Sequence, residues 1–78
     1  MTSERFSNYL FELSGSQLPD SGKWVPYLEI QDCSEDPENG EVIFPLQRIA
    51  AEDSYESEEA AIAEARRFAI AHVSSGEF

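Results

Sequence analysis

The spacing of hydrophobic and polar positions changes once along the chain. From Phe6 to Ile49 apolar residues alternate or cluster as they do in strands, and from Tyr55 onward they recur at helical spacing. The segment Tyr55 to Gly76 predicts an amphipathic helix with its own start and stop signals. At about 100° per residue, Ala61, Ile62, Ala65, Phe68, Ala69, His72 and Val73 share one face, while Glu59, Glu64, Arg66 and Arg67 point elsewhere. Alanines make that face shallow enough to lie close against a sheet. Ser57 is the expected N-cap, Glu58 and Glu59 sit where the helix dipole is positive, and Gly76 supplies the stop.

Three strands are expected before the helix. Residues 1–5 read as a loose polar end, and Phe6 to Leu13 as the first strand, apolar on both faces. Ser14 to Gly22 is dense in turn formers and predicts a connecting loop. Lys23 to Gln31 is the second strand, with Trp24, Pro26, Leu28 and Ile30 on one face and Val25, Tyr27, Glu29 and Gln31 on the other. Pro26 has no amide hydrogen, so its nitrogen faces outward, the regular ladder begins at Tyr27, or a bulge sits there. Asp32 to Glu41 is a polar reversal in which Asn39-Gly40 is the hairpin signal, with Pro37 nearby favouring a longer loop. Glu41 to Ile49 is the third strand, with Val42, Phe44 and Leu46 on one face and Ile43 on the other. Pro45 raises the same difficulty as Pro26, which a strand ending near Phe44, with irregular backbone through Leu46, would resolve.

Length and charge narrow the function classes. A chain of 78 residues makes one domain, and one this short buries only about 60% of its unfolded surface. A net stability of about 3–5 kcal/mol leaves little core to give up to a catalytic cleft, so a non-enzymatic role is expected. Sixteen acidic residues against five basic ones give a formal charge of −11. Nucleic acids and anionic membrane surfaces are bound through Lys and Arg, so neither is an expected partner. A basic protein partner, or solubility alone, suits this charge. The single cysteine, Cys33, rules out an internal disulfide and suits a reducing compartment. The opening residues do not lead into an apolar run, and the expected location is the cytoplasm.

Candidate chemistry is sparse. The acidic reversal holds Glu35, Asp36, Glu38, Asn39 and Glu41, but Pro37 falls where a calcium ligand belongs, and no helices flank the segment. Cys33 and His72 are the only soft metal ligands, too few for a zinc site. Carboxylates around Cys33 should disfavour its thiolate, and His72 fits the edge of the helix face as a half-buried imidazole. No phosphate-binding glycine loop or catalytic triad motif is present. No catalytic, cofactor or metal residues are therefore expected. Trp24 and Phe44 are expected in the core beneath the helix. Tyr9 and Tyr27, placed on the helix-free face, join Glu35, Asp36, Glu38 and Glu41 as the candidate partner surface. An uncovered sheet face or an exposed edge strand would also allow a homodimer.

Two resemblances follow from particular residues. Gly22-Lys23-Trp24-Val25-Pro26, then Gly40, then Tyr55-Glu56-Ser57-Glu58-Glu59-Ala60 opening a helix resemble a group of short bacterial β-β-β-α proteins, a domain of unknown function, over most of residues 6–76. Phe44-Pro45-Leu46 followed by Ser57-Glu58-Glu59-Ala60 resembles the HicB antitoxin family, although the usual glycine before the helix and a DNA-binding segment after Gly76 are lacking. That family neutralises small basic RNA-cleaving toxins, so the likeness implies a basic protein as partner. The βββα order is also similar to the ethylene-response DNA-binding domain and the double-stranded-RNA-binding core, both of which need a basic face.

The expectation is thus one α+β domain over residues 1–78, a three-stranded antiparallel sheet with one C-terminal helix, and residues 77–78 as a tail. Its expected role is a non-enzymatic, cytoplasmic protein-binding module without cofactors. The alternative is an antitoxin-like or nucleic-acid-mimicking inhibitor of a basic protein, supported by ten acidic groups against Arg48 alone in residues 32–59.

Overall fold

A computed structural model of the chain describes residues 2–36, 38–50 and 53–75. Four strands precede one helix: β1 (Thr2–Phe6), β2 (Tyr9–Gln17), β3 (Trp24–Asp32), β4 (Glu41–Arg48) and α1 (Glu58–Ser75). The strands form one antiparallel sheet in the order β1-β2-β3-β4, and α1 packs on one face across β2 and β3. The fold is α+β, as expected, but the sheet has four strands and not three. The additional strand is the N-terminal segment expected to be a loose end. Its polar residues disguised it, because β1 is an edge strand whose inward positions need not all be apolar.

The turn between β1 and β2 explains why the first strand boundary was misplaced. Phe6 pairs with Tyr9, leaving Ser7-Asn8 as a two-residue loop. Ser7 carries φ 56°, a value usually given to Gly or Asn. The turn is pinned from outside by the Cys33 amide, which donates to the Asn8 carbonyl at 2.7 Å. Beyond the turn, β2 continues to Gln17, so the first four residues of the expected Ser14–Gly22 loop belong to the sheet.

Register places every second residue of β2 and β3 under the helix. Phe11 faces Ile30, Leu13 faces Leu28, and Gly15 faces Pro26. Phe11, Leu13, Leu28 and Ile30 are buried and form the core with Ile49, Ala65 and Ala69. The helix contributes a stripe of Ala61, Ala65 and Ala69, all fully buried, flanked by Ile62, Ile70 and Val73. Phe68 is displaced to the margin, where its ring and Phe44 enclose His72. Ser57 caps the helix as expected, its Oγ accepting from the Ala60 amide at 3.1 Å; the expected stop at Gly76 and the tail at 77–78 lie outside the described residues.

The helix comes close to the sheet at Gly15. A Cβ there would sit 3.3 Å from both Ala61 Cβ and Glu58 Cγ, closer than ordinary van der Waals contact. A side chain at this position would therefore lift the first turn of the helix.

Pro26 is accommodated at the end of a ladder. Its carbonyl accepts from the Ile49 amide at 3.1 Å, and a strand residue's N–H and C=O point to the same side. The missing donor therefore lies beyond Arg48, the last residue of β4 to pair. One step further, Trp24 and Tyr55 exchange both backbone bonds at 2.7 Å, so the approach to the helix shields the start of β3.

β4 departs most from expectation. Leu28 pairs with Gln47, Ile30 with Phe44, and Gln31 with Val42, so β4 carries an extra residue at two places. These bulges, one of them containing Pro45, break the expected alternation. Ile43 and Phe44 both pack on the core, whereas Val42 and Leu46 are turned to solvent. The β3–β4 connection is the longer loop that Pro37 suggested and not a two-residue Asn39-Gly40 turn, since neither residue has positive φ. Gly40 serves another purpose: a Cβ there would come within 2.7 Å of Cys33 Sγ.

Two polar contacts tie the margins of the helix down. Arg66 does not point away but reaches Glu4 on β1, its Nε donating at 2.8 and 2.9 Å and its Nη2 completing the pair. Glu64, also expected on the outer face, has a side chain only 12% exposed, paired with Arg67. Burial first, then the Glu64 charge, pushes the Tyr55 phenol up.

Two outcomes are expected. Gly15→Val should destabilise the fold by about 1–3 kcal/mol through overpacking, read by urea unfolding, whereas Gly15→Ala should cost less. The Arg66 hydrogen bonds, opposed by burial and aided by the guanidinium charge, hold the Glu4 carboxyl below its ordinary 4.5. The pair's contribution is thus fully present above pH 4.5 and lost as pH falls through the lowered value. Both partners are at least a third exposed, so Glu4→Gln should cost at most about 1 kcal/mol at pH 7. That difference from the parent chain should vanish in strong acid.

Candidate functional site

The residues expected to form a partner surface are not brought together. Tyr9 lies opposite Asp32, in the same row as Phe11 and Leu13, and packs against the core on the helix side. Tyr27 lies opposite Ser14 and Arg48 on the uncovered face, half-buried. The placement of Tyr9 on the helix-free face is therefore corrected, and the cause is register: the two tyrosines occupy opposite parities of paired strands.

Glu35, Asp36 and Glu38 lie in the β3–β4 loop, and Glu41 opens β4. With Asp32, Ser34 and Asn39, several of them rim a shallow depression of about 150 Å³. Two of its carboxylates, those of Asp32 and Asp36, are engaged by the loop itself. Asp32 accepts from the Ser34 amide at 2.9 Å, and Asp36 accepts from the Glu38 amide at 3.0 Å and from Asn39 Nδ2 at 3.3 Å. Those hydrogen bonds, from Ser34 to Asp32 and chiefly from Glu38 to Asp36, lower both carboxyls below their ordinary 3.8. Among the described residues no three His, Cys, Asp or Glu side chains are arranged to hold a metal ion.

Cys33 and His72 occupy different surroundings. Cys33 is buried against Gly40 beneath the reversal. His72 stacks on Phe68 at 5.8 Å and meets Phe44 edge-on at 5.3 Å. With Phe68, Ala71 and Ser75 it rims a broad surface hollow that Cys33 does not line.

The uncovered sheet face offers a more coherent arrangement. Glu12 and Glu29 are directly opposed across β2 and β3, a pairing that brings Cβ atoms within about 4.5–5.5 Å. Ser3 Oγ donates to Glu12 at 2.7 Å and Gln31 Nε2 donates to Glu29 at 2.9 Å, so both carboxylates are held in place. The ion pairs among the described residues use Glu4, Glu56 and Glu64, and neither Glu12 nor Glu29 takes part. Leu46, 50% exposed, joins Glu12, Glu29 and Gln31 around a depression of about 210 Å³. Val42, 48% exposed and paired with Gln31, extends the apolar rim.

Sequence reasoning missed Glu12, Glu29, Val42 and Leu46 as a group. Both strands were expected, but opposition of the two glutamates depends on register, and the outward turn of Leu46 depends on the Pro45 bulge. Pro45 inside an apolar run was the one signal pointing there.

No family model matches the sequence, and no curated protein or solved structure matches it. Among the described residues no helix is long and apolar enough to cross a membrane.

Like charges directly opposed across strands weaken a sheet. Glu29→Gln should therefore raise the unfolding free energy by a few tenths of a kcal/mol at low ionic strength, and the gain should shrink in salt. Denaturant titrations at two salt concentrations would check it.

Proposed function

We propose that this chain is a non-enzymatic, cytoplasmic protein-binding module that meets its partner with the uncovered face of its sheet. The observation that carries this reading is the outward turn of Leu46 and Val42, each about half exposed, on the sheet face that also holds half-buried Tyr27. Apolar groups gathered on one uncovered sheet face are typical of association surfaces. The rigid, helix-backed sheet supplies the preorganisation that keeps the cost of binding low. No cofactor enters this proposal. The chemistry-bearing side chains support binding over catalysis, since Cys33 is buried and the loop aspartates are engaged by backbone amides.

A second reading is an antitoxin-like or nucleic-acid-mimicking inhibitor that holds a basic protein through the reversal at 32–41. Its support is the pair of aspartates, Asp32 and Asp36, kept ionised by their hydrogen bonds.

Site-specific photocrosslinking in the producing cells would separate the two. A crosslinker at Leu46 should yield a discrete protein adduct, and one at exposed Ala63 on the helix should not. A Leu46 adduct without one from Glu38 supports the sheet-face reading. Adducts from Glu38 alone would favour the inhibitor. Adducts from neither position would overturn both.

A further inference from the structure

We infer that the partner is a basic protein segment, and that an arginine or lysine of that segment seats between Glu12 and Glu29 with its aliphatic stem on Leu46. This rests on the sheet-face reading above and names the chemistry of its partner.

Charge complementarity selects the occupant. The two glutamates are directly opposed at the centre of the uncovered face, and no ion pair reaches either of them among the described residues. Ser3 and Gln31 hold one oxygen of each carboxylate, leaving acceptor capacity open toward the depression. A guanidinium between them would relieve their mutual repulsion and could bond both, because its fork of donors matches paired carboxylates. Its methylene stem needs an apolar floor, and Leu46 supplies one on the same rim.

The charges elsewhere on the face agree with this position. Arg5, one diagonal step from Glu12 across β1 and β2, and Arg48, one diagonal step from Glu29 across β3 and β4, flank the glutamates from either side, so the negative patch is confined to the pair itself. A second copy of this chain is the poorer occupant. Face-to-face pairing would bring two Glu12–Glu29 pairs together, and each molecule carries a formal charge of −11. The same charge steers a basic partner toward the surface and speeds encounter.

Three labelled, acetylated hexapeptides in which valine alternates with arginine, glutamine or glutamate provide the test, using the full chain. Anisotropy titrations at low salt should show the arginine peptide binding at least tenfold more tightly than the glutamine peptide, and no binding of the glutamate peptide. Amide shift changes should centre on Glu12, Glu29, Gln31 and Leu46. The E12Q/E29Q variant should weaken the arginine peptide at least tenfold while keeping the parent's circular dichroism. The loop variant D36N/E38Q should change it less than twofold.

Equal affinity for the arginine and glutamine peptides on this face would overturn the basic-partner inference while leaving the sheet-face reading intact. Shifts confined to 33–41, with loss in the loop variant, would overturn both in favour of the inhibitor. Binding of none of the peptides would also overturn both. A dimeric mass in light scattering that L46E returns to monomer would replace the basic partner with a second copy.

Discussion

The contact on which the rest of the structure depends is the close seating of an alanine stripe on the sheet. Ala61, Ala65 and Ala69 are fully buried, and Gly15 lets the first of them approach the strand beneath without an intervening side chain. Small residues on both sides bring backbone near backbone, so the larger groups beside them can meet: Phe11, Leu13, Leu28 and Ile30 from the sheet, and Ile62, Ile70 and Val73 from the helix. In a domain this small no second layer exists to compensate for a gap. The pairing also fixes direction. With the helix seated on β2 and β3, Arg66 falls within reach of β1, and Tyr55 is drawn against Trp24 before the helix begins.

This seating commits one sheet face entirely to the core and leaves the other to solvent. What the outer face presents then follows from strand register. Antiparallel pairing brings Glu12 and Glu29 side by side, and the irregular path of β4 brings Leu46 next to them. Neither effect is required by the core. The acidic reversal at the end of β3 is chemically different: Asp32 and Asp36 accept from amides of their own loop, and Cys33 is buried against Gly40 beneath it.

The helix was legible in the sequence almost to the residue because its signals are local: a capping serine, acidic residues behind it, and a repeated alanine spacing. β3 was equally plain. β1 was not, because its inward positions include Glu4, whose partner Arg66 lies far along the chain. A charge satisfied across such a separation looks like a solvated residue until the fold closes. The Ser7 turn lacked a glycine, and Asn39-Gly40 gave a hairpin signal although its glycine is needed for close approach to a sulfur. The candidate site was hidden for a related reason. Glutamates are so common here that no pair stands out, and only register makes one pair neighbours.

The irregular path of β4 has a further consequence for the molecule's borders. At Pro45 the outermost strand has no amide hydrogen to offer, and the Pro45 carbonyl is already taken by Gln47 Nε2 at 3.0 Å. With an extra residue on either side of the Ile30–Phe44 pair, that rim lacks the even row of donors and acceptors that an incoming chain would need to extend the sheet. The open face can thus carry exposed apolar groups beside a β4 rim that resists templating filament growth, and at that border the restraint comes from backbone geometry alone.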